Sequence, residues 1–457
     1  METKANFRSN PKWVFVWKLC LVLAFVVLCQ VSYMAFAADG KAGKPNIIFI
    51  LADDLGMGDV GCYGQTKIKT PSLDRMAKEG LRFTQGYSGA SVCAPSRATL
   101  ITGLHTGHCP IRANREIQPE GQRPLPAETY TVAKLLKSQG YSTLCSGKWG
   151  MGMFDTPGSP LKMGFDNFYG YNCQRHAHSH FPTYLYENDK RVELDEKTYS
   201  QNLIIDNTLK WIREHKDEPF FVFYAATLTH GNYEIDDLGD YRDKEGWTDR
   251  QKTYAAMCTR LDTHVGQIFD LLNELDLDKE TIVFFAGDNG SSFAPNSPIS
   301  TFFNSNAGLR DYKRSYYEGG IRQAFLVRWP EQIKAGTVCD TPIASWDILP
   351  TCAELSGCTI PFGVPFDGVS LLSLLRRGEI PERDTFYWEL HEGKSIQAAR
   401  WKDWKFVKNP DKPIELYDLK NDFGETKDLA AQNPEIIQIG ENLMKTMRSE
   451  DPAWPLQ

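Results

Sequence analysis

Two apolar runs end in pairs of oxygen-donor side chains. Asn46–Leu51 leads to Asp53-Asp54, and Thr281–Ala286 leads through Gly287 to Asp288-Asn289. As strands of one open α/β sheet they bring both pairs to the strands' carboxyl ends, where such sheets bind ligands. Four hard oxygen donors there suit a divalent cation, with calcium preferred in a roomy cage. Acids at strand ends also cap helices and turns, which would explain one pair; two at equivalent ends put the metal on an equal footing. A third feature is Cys93-Ala94-Pro95-Ser96-Arg97, continuing through Leu100 to Thr102-Gly103. Pro95 fits the first turn of a helix and Gly103 its end, so Cys93 lies at a helix N-terminus, where dipole and free amides favour an anion. Taken alone, that cysteine is either a reactive thiol or a buried one.

Cations and imidazoles stand at comparable places. A strand at Tyr141–Cys145 delivers Ser146-Gly147-Lys148, the apolar run Phe220–Ala225 leads to His230, and Lys313 precedes Glu318-Gly319-Gly320-Ile321-Arg322 by five residues. His176, His178 and His180 fall within five positions. Lysines are ordinarily exposed, a helical arginine can make a surface ion pair, and clustered histidines can form a weak secondary metal site. These residue types alone do not separate function from surface.

The elements needed to position them are legible. Apolar strands alternate with amphipathic helices from Pro45, predicting a large, mostly parallel sheet covered by helices on both faces. Thr131–Gln139 reads as a helix closed by Gly140. From Gln251, the residues Met257, Leu261, Val265, Ile268, Leu272 and Leu275 recur at three- and four-residue steps, one buried helical face. Beyond about residue 385 the texture changes: Trp401, Trp404, Phe406 and Leu416-Tyr417-Asp418-Leu419 suggest short antiparallel strands, followed by a helix near Pro434–Met447. The expected organisation is a domain over 45–384 and a small antiparallel subdomain with a helix over 385–457.

Before Pro45 lies another kind of segment. Lys4, Arg8, Lys12 and Lys18 precede the apolar stretch Leu19–Val31, and Ala35-Phe36-Ala37 offers small residues for cleavage, so residues 1–37 read as a secretory signal peptide. Lys18 interrupts the apolar span and disfavours an uncleaved anchor. No later segment is apolar enough to span a bilayer. The full chain carries −7; losing four basic residues and one acidic residue takes the mature protein near −10. That balance speaks against nucleic-acid or anionic-membrane binding, so an anionic substrate needs local positive charge. Export permits disulfides, but the eight cysteines left after Cys20, Cys29 and Cys93 show no spacing that fixes a pairing.

Cys93-Ala94-Pro95-Ser96-Arg97 with Thr102-Gly103 resembles the signature of the formylglycine-dependent sulfatases, arylsulfatase-like members of the alkaline-phosphatase superfamily. Asp53-Asp54, Gly147-Lys148-Trp149, Asp288-Asn289-Gly290, Lys313 and Glu318–Arg322 follow in the family's order. The resemblance implies an alkaline-phosphatase-like fold and hydrolysis of sulfate esters, of sulfated sugars or polysaccharides and of aryl sulfates. It implies that a formylglycine-generating maturation enzyme oxidises Cys93 to formylglycine. Asp53, Asp54, Asp288 and Asn289, with the modified residue 93, would hold Ca2+. One oxygen of the hydrated aldehyde would attack sulfur, and deprotonation of the other would later expel sulfate. Arg97 would hold the formylglycine, Lys148 and Lys313 would bind sulfate oxygens, and His230 would protonate the leaving group. A signal peptide with this chemistry implies an exported enzyme, periplasmic or secreted.

The pattern departs in one important place. Many family members have histidine after Gly-Lys-Trp, thought to assist sulfate elimination, where this chain has Gly150. His176 or His178 is the expected replacement, against a surface histidine cluster. Two other functions compete: a phosphate or phosphonate monoester hydrolase on the same fold, and a non-catalytic binder of sulfated glycans. Cys93, both lysines and the four metal-ligand positions argue for the sulfatase.

Overall fold

The computed structural model describes Gly43–Gln457 apart from Pro119; the expected signal peptide therefore lies outside the described residues. The chain divides into Met1–Lys44 and one body from Pro45 to Gln457. Every helix and strand among the described residues belongs to the second. No helix among the described residues is long and apolar enough to cross a membrane.

Strand β1, Asn46–Ala52, is buried at every position. Its even and odd residues pack into two different cores, so the sheet is covered on both faces. Ile47, Phe49 and Leu51 join a core whose helices include α2 (Cys93–Thr102) and α3 (Val132–Ser138). Ile48 and Ile50 join a second core. It includes α1 (Pro71–Glu79), α4 (Ser200–Glu214) and α5 (Asp249–Glu274). Burial on both faces explains the unbroken apolar runs of the central strands.

The remaining strands of the large sheet are β2 (Leu81–Tyr87), β3 (Ser142–Lys148), β4 (Asn167–Tyr171), β5 (Tyr184–Glu187), β6 (Lys190–Glu193), β7 (Phe220–Ala225), β8 (Thr281–Gly287), β9 (Arg322–Arg328), β10 (Thr337–Cys339) and β11 (Ile343–Ala344). Their order is β10-β2-β9-β8-β1-β7-β3-β4-β5-β6, with β11 also on β2. The centre, β8-β1-β7-β3, is parallel, and β9 enters antiparallel to both β8 and β2. Register is what matters for the site. Ala52 pairs with Gly287, Leu51 with Ala225, and Gly147 with Ala225. Asp53, Asp288, Lys148 and the loop to His230 thus leave four adjacent strands at the same edge.

The C-terminal residues form a separate antiparallel sheet: β12 (Thr385–Leu390), β13 (Ile396–Trp401), β14 (Trp404–Lys408) and β15 (Glu415–Asp418), followed by α7, Pro434–Thr446, counting Ile348–Ser356 as α6. Alternation along β12 is again decisive. Phe386, Trp388 and Leu390 pack with Tyr87, Val92 and Trp346 of the main body, whereas Tyr387 faces a small core with Met444 of α7. The mixed, mostly parallel sheet with helices and the small second sheet are the architecture expected from the sequence.

Candidate active site

The turn after β1 sets the geometry. Asp54 adopts φ +61, a left-handed conformation that aspartate tolerates better than most residues. The Asp53 amide donates to the Leu228 carbonyl, and the Thr229 amide donates to Asp53 O, tying this turn to the loop that carries His230. Helix α2 begins at Cys93 itself, with Val92 as its cap and Gly103 left-handed at its end.

Polar side chains from distant parts of the chain meet here. Lys148 Nζ lies 2.6 Å from Asp53 Oδ2, and Lys313 Nζ lies 2.6 and 2.8 Å from the two oxygens of Asp54 and 3.4 Å from Cys93 Sγ. Cys93 Sγ is 3.6 Å from Asp53 Oδ1. Arg97, fully buried, reaches Asp288 Oδ2 at 3.0 Å, Asp53 Oδ2 at 3.4 Å and the Lys148 carbonyl at 2.8 Å. The surface fates open to Lys148, Lys313 and Arg97 on residue type alone are therefore excluded. His230 Nε2 stands 3.4 Å from Asp54 Oδ2. One ligand atom each from Asp53, Asp54, Cys93 and His230 falls within 4.8 Å of all the others.

Asn289 completes the donor set. Its Nδ2 donates to Asp54 Oδ1 at 2.7 Å and to Gly290 O, while its Oδ1 is buried with no hydrogen-bond partner among the described residues. A buried carbonyl oxygen without a donor is costly, and a hard cation would satisfy it. Three carboxylates plus this oxygen therefore fit calcium. The loop holding Asn289 is clamped from behind: a Cβ on Gly290 would fall 1.9 Å from Gly319 O. That close approach fixes the Glu318-Gly319-Gly320 segment, and the Lys313 amide bonds Ser291 O.

Burial governs the electrostatics. It pushes the Cys93 thiol up to about 12 despite nearby Lys148 and Lys313, so an unmodified Cys93 would be a poor nucleophile at neutral pH. Burial alone would raise Asp53, but Lys148 beside it holds its carboxyl well below the usual range. Burial and the charge of Asp53 push Asp288 up. His230 is lowered to about 3 by burial, against the pull of Asp54 and Asp53, which makes it neutral imidazole here.

Family comparison decides between chemistries that share this arrangement. The family model described as Sulfatase matches residues 45–358, and that described as N-sulphoglucosamine sulphohydrolase, C-terminal, matches residues 307–452. The chain belongs to the sulfatase family. This sulfatase is 32% identical over 421 residues to N-acetylgalactosamine-6-sulfatase of Canis lupus familiaris, covering 85% of this chain and 75% of that one. It is 29% identical over 468 residues to arylsulfatase A of Homo sapiens, covering 90% and 89%. Among solved structures, Ps i-CgsB in complex with k-i-k-neocarrahexaose is similar at 28% identity and TM-score 0.79, covering 91% of this chain and 95% of that one. The sulfatase is thus a sulfuric ester hydrolase.

The sulfatase opens to solvent through a cavity of about 410 Å³ whose walls include Asp54, His178, His230, Tyr233, Lys313 and Arg314. His178 and His230 pack edge to face, ring centroids 4.6 Å apart. His176 is not brought to this cavity. Its ring stacks on Tyr184 at 4.0 Å and its Nδ1 lies 3.8 Å from Glu120 Oε1, because the short helical turn His176–His178 points the two rings in different directions. Of the two expected replacements for the absent histidine, His178 is the one placed at the site.

Gly150 adopts φ +77, and a Cβ there would meet Gln174 Nε2 at 1.9 Å. The buried amide of Gln174 thus fills the start of the space a side chain at 150 would need. Sequence reasoning gave no role to Gln174, nor to Arg314 in the cavity wall and the Glu392 and Asn114 linked to it. Arg314 adjoins Lys313 and could have been suspected; Asn114 and Glu392 are distant in sequence and carry no motif.

Proposed function

We propose that this protein is an exported sulfatase that removes sulfate from sulfated carbohydrates, and from aryl sulfates as simpler substrates. The observation that carries this reading is the convergence of Cys93, at the start of α2, with three buried cations and four oxygen-donor side chains. The names of its relatives, an N-acetylgalactosamine-6-sulfatase and a protein crystallised with k-i-k-neocarrahexaose, support carbohydrate as the substrate class. The basic, apolar and small-residue order of residues 1–37 supports export through a cleaved signal peptide, and residues 385–457 serve as a subdomain on the catalytic domain, 45–384.

Asp53, Asp54, Asp288 and Asn289 would hold calcium together with residue 93, after a formylglycine-generating enzyme has converted Cys93. With both groups in place, the hydrated formylglycine supplies the oxygen nucleophile and calcium the charge that polarises the sulfate. The remaining work falls to the chain's own side chains. Arg97 spans Asp53 and Asp288 and holds both carboxylates in register. Lys148 and Lys313 offer ammonium groups to sulfate oxygens, fixed in a buried site where aimed positive charge is most effective. His230 is neutral beside those lysines. An anionic ester bound between them would raise its proton affinity, so it can take a proton from solvent and pass it to the departing alcohol oxygen. His178, packed on His230, is the second imidazole within reach.

The test is turnover by enzyme matured in a host able to make formylglycine. Sulfate-ester hydrolysis far above phosphate- and phosphonate-ester hydrolysis, lost on calcium chelation and restored by calcium, is the expected result. Preference for phosphate or phosphonate esters would reassign the site, and tight binding of sulfated glycan without turnover would make the protein a binder.

A further inference from the structure

Arg314 follows Lys313 directly and lines the same cavity. Its amide donates to Ser91 O at 2.8 Å, two residues before Cys93, and its backbone is left-handed at φ +70. Its side chain, 58% exposed, donates through Nε to Glu392 Oε2 at 2.6 Å. Its two terminal nitrogens make no hydrogen bond to the described residues. Lys148, Lys313 and Arg97 are each engaged by site carboxylates, whereas Arg314, a residue of the cavity wall, is paired only through Nε with Glu392 among the described residues.

Glu392 is itself held. Its Oε1 accepts from the Asn114 amide at 3.1 Å, and Asn114 Oδ1 accepts from the Ala94 amide at 2.9 Å, next to Cys93. The turn between β12 and β13 is thereby tied to the first turn of α2 through two side chains. A guanidinium bonded at Nε is fixed in plane and presents two parallel N–H groups, the fork that fits a carboxylate or sulfate in bidentate fashion. Glu392 offsets the charge of Arg314, so recognition would come from directed hydrogen bonds more than from a general positive field.

We propose that Arg314 is a specificity-determining residue that binds a second anionic group of the substrate, a further sulfate or a carboxylate near the scissile ester, and that Glu392 is the positioning residue that aims it. This rests on the sulfate-ester reading of the site and deepens it: the preferred substrate is a polyanionic saccharide.

The experiment compares matured wild-type enzyme with Arg314→Ala, Arg314→Lys and Glu392→Gln on three saccharides sharing one scissile sulfate. One has no other charge, one a second sulfate, and one a neighbouring uronic acid. The ratio of kcat/KM on the doubly to the singly anionic substrate should fall about ten- to a hundredfold in Arg314→Ala, chiefly through KM. Arg314→Lys should recover part of that ratio, and Glu392→Gln should lower it several-fold. Comparing the two doubly anionic substrates shows which anion is preferred. A ratio unchanged by Arg314→Ala, or both kcat/KM values falling in equal proportion, would overturn the proposal while leaving the sulfatase reading intact. Wild-type enzyme splitting none of the three nor an aryl sulfate would overturn that underlying reading and this proposal with it.

Discussion

Installing the absent family histidine, Gly150→His, should destabilise the protein, and the structure indicates by how much. Position 150 sits at φ +77, where a residue with a Cβ is strained by roughly 1–3 kcal/mol. The new Cβ would also fall 1.9 Å from Gln174 Nε2 and 2.8 Å from its Cδ. Gln174 is buried, so its amide must move within packed surroundings, an overpacking cost of about 1–3 kcal/mol. Together they amount to about 2–6 kcal/mol, only the second part of which depends on Gln174. Chemical unfolding of wild type, Gly150→His, Gln174→Ala and the double variant separates them. The double variant should be more stable than the sum of the single effects predicts, by about 1 kcal/mol or more. A Gly150→His protein as stable as wild type, or strictly additive effects, would refute the claim that Gln174 occupies this space.

The two histidines weighed for the vacant role should separate in activity. His178→Ala is expected to lower kcat on an aryl sulfate about a hundredfold or more, the lower end for an acid–base group, whereas His176→Gln should reduce it far less; the reverse order would return the role to His176. Glu389 should make stability acid-sensitive. Burial alone would raise its pKa, but the hydrogen bond from His391 and the charge of Arg112 hold it at about 2, against an ordinary 4.5. A depressed carboxylate contributes stability that is complete above the unfolded value and lost as pH falls from about 4.5 to about 2, here roughly 3 kcal/mol. The unfolding free-energy difference between wild type and Glu389→Gln should therefore shrink on going from pH 7 to pH 3, and a constant difference would contradict it.

The meeting of the candidate site residues was legible because they sit at the ends of strands whose own pattern is strong. Asn46–Ala52 and Thr281–Gly287 are apolar throughout, so their ends, and hence Asp53 and Asp288, could be placed side by side. The helix at Cys93 was readable from Pro95 and Gly103, and α5 from its three- and four-residue steps. The strand delivering Lys148 runs three residues past the expected Cys145, since Ser146, Gly147 and Lys148 are polar or small yet pair fully with β4. The features that stayed hidden depend on long-range packing. Neither periodicity nor motif separates His176 from His178, two residues apart in one helical turn. The Asn114–Glu392–Arg314 link joins segments nearly 280 residues apart, since 392 less 114 is 278. Gln174 could be placed against Gly150 only once β3 and β4 were paired.

Residue 93 is proposed to act as a formylglycine, and its buried thiol, pushed up to about 12, is ill-suited to attack. Mass spectrometry of the peptide spanning Cys93, on protein from a host with the maturation enzyme, tests this most directly when paired with turnover of the same sample. The expected result is a peptide lighter by the exchange of thiol for aldehyde, with calcium-dependent sulfate release proportional to the converted fraction. Full activity from protein in which Cys93 remains a thiol, or full conversion without hydrolysis of any sulfate ester, would contradict it.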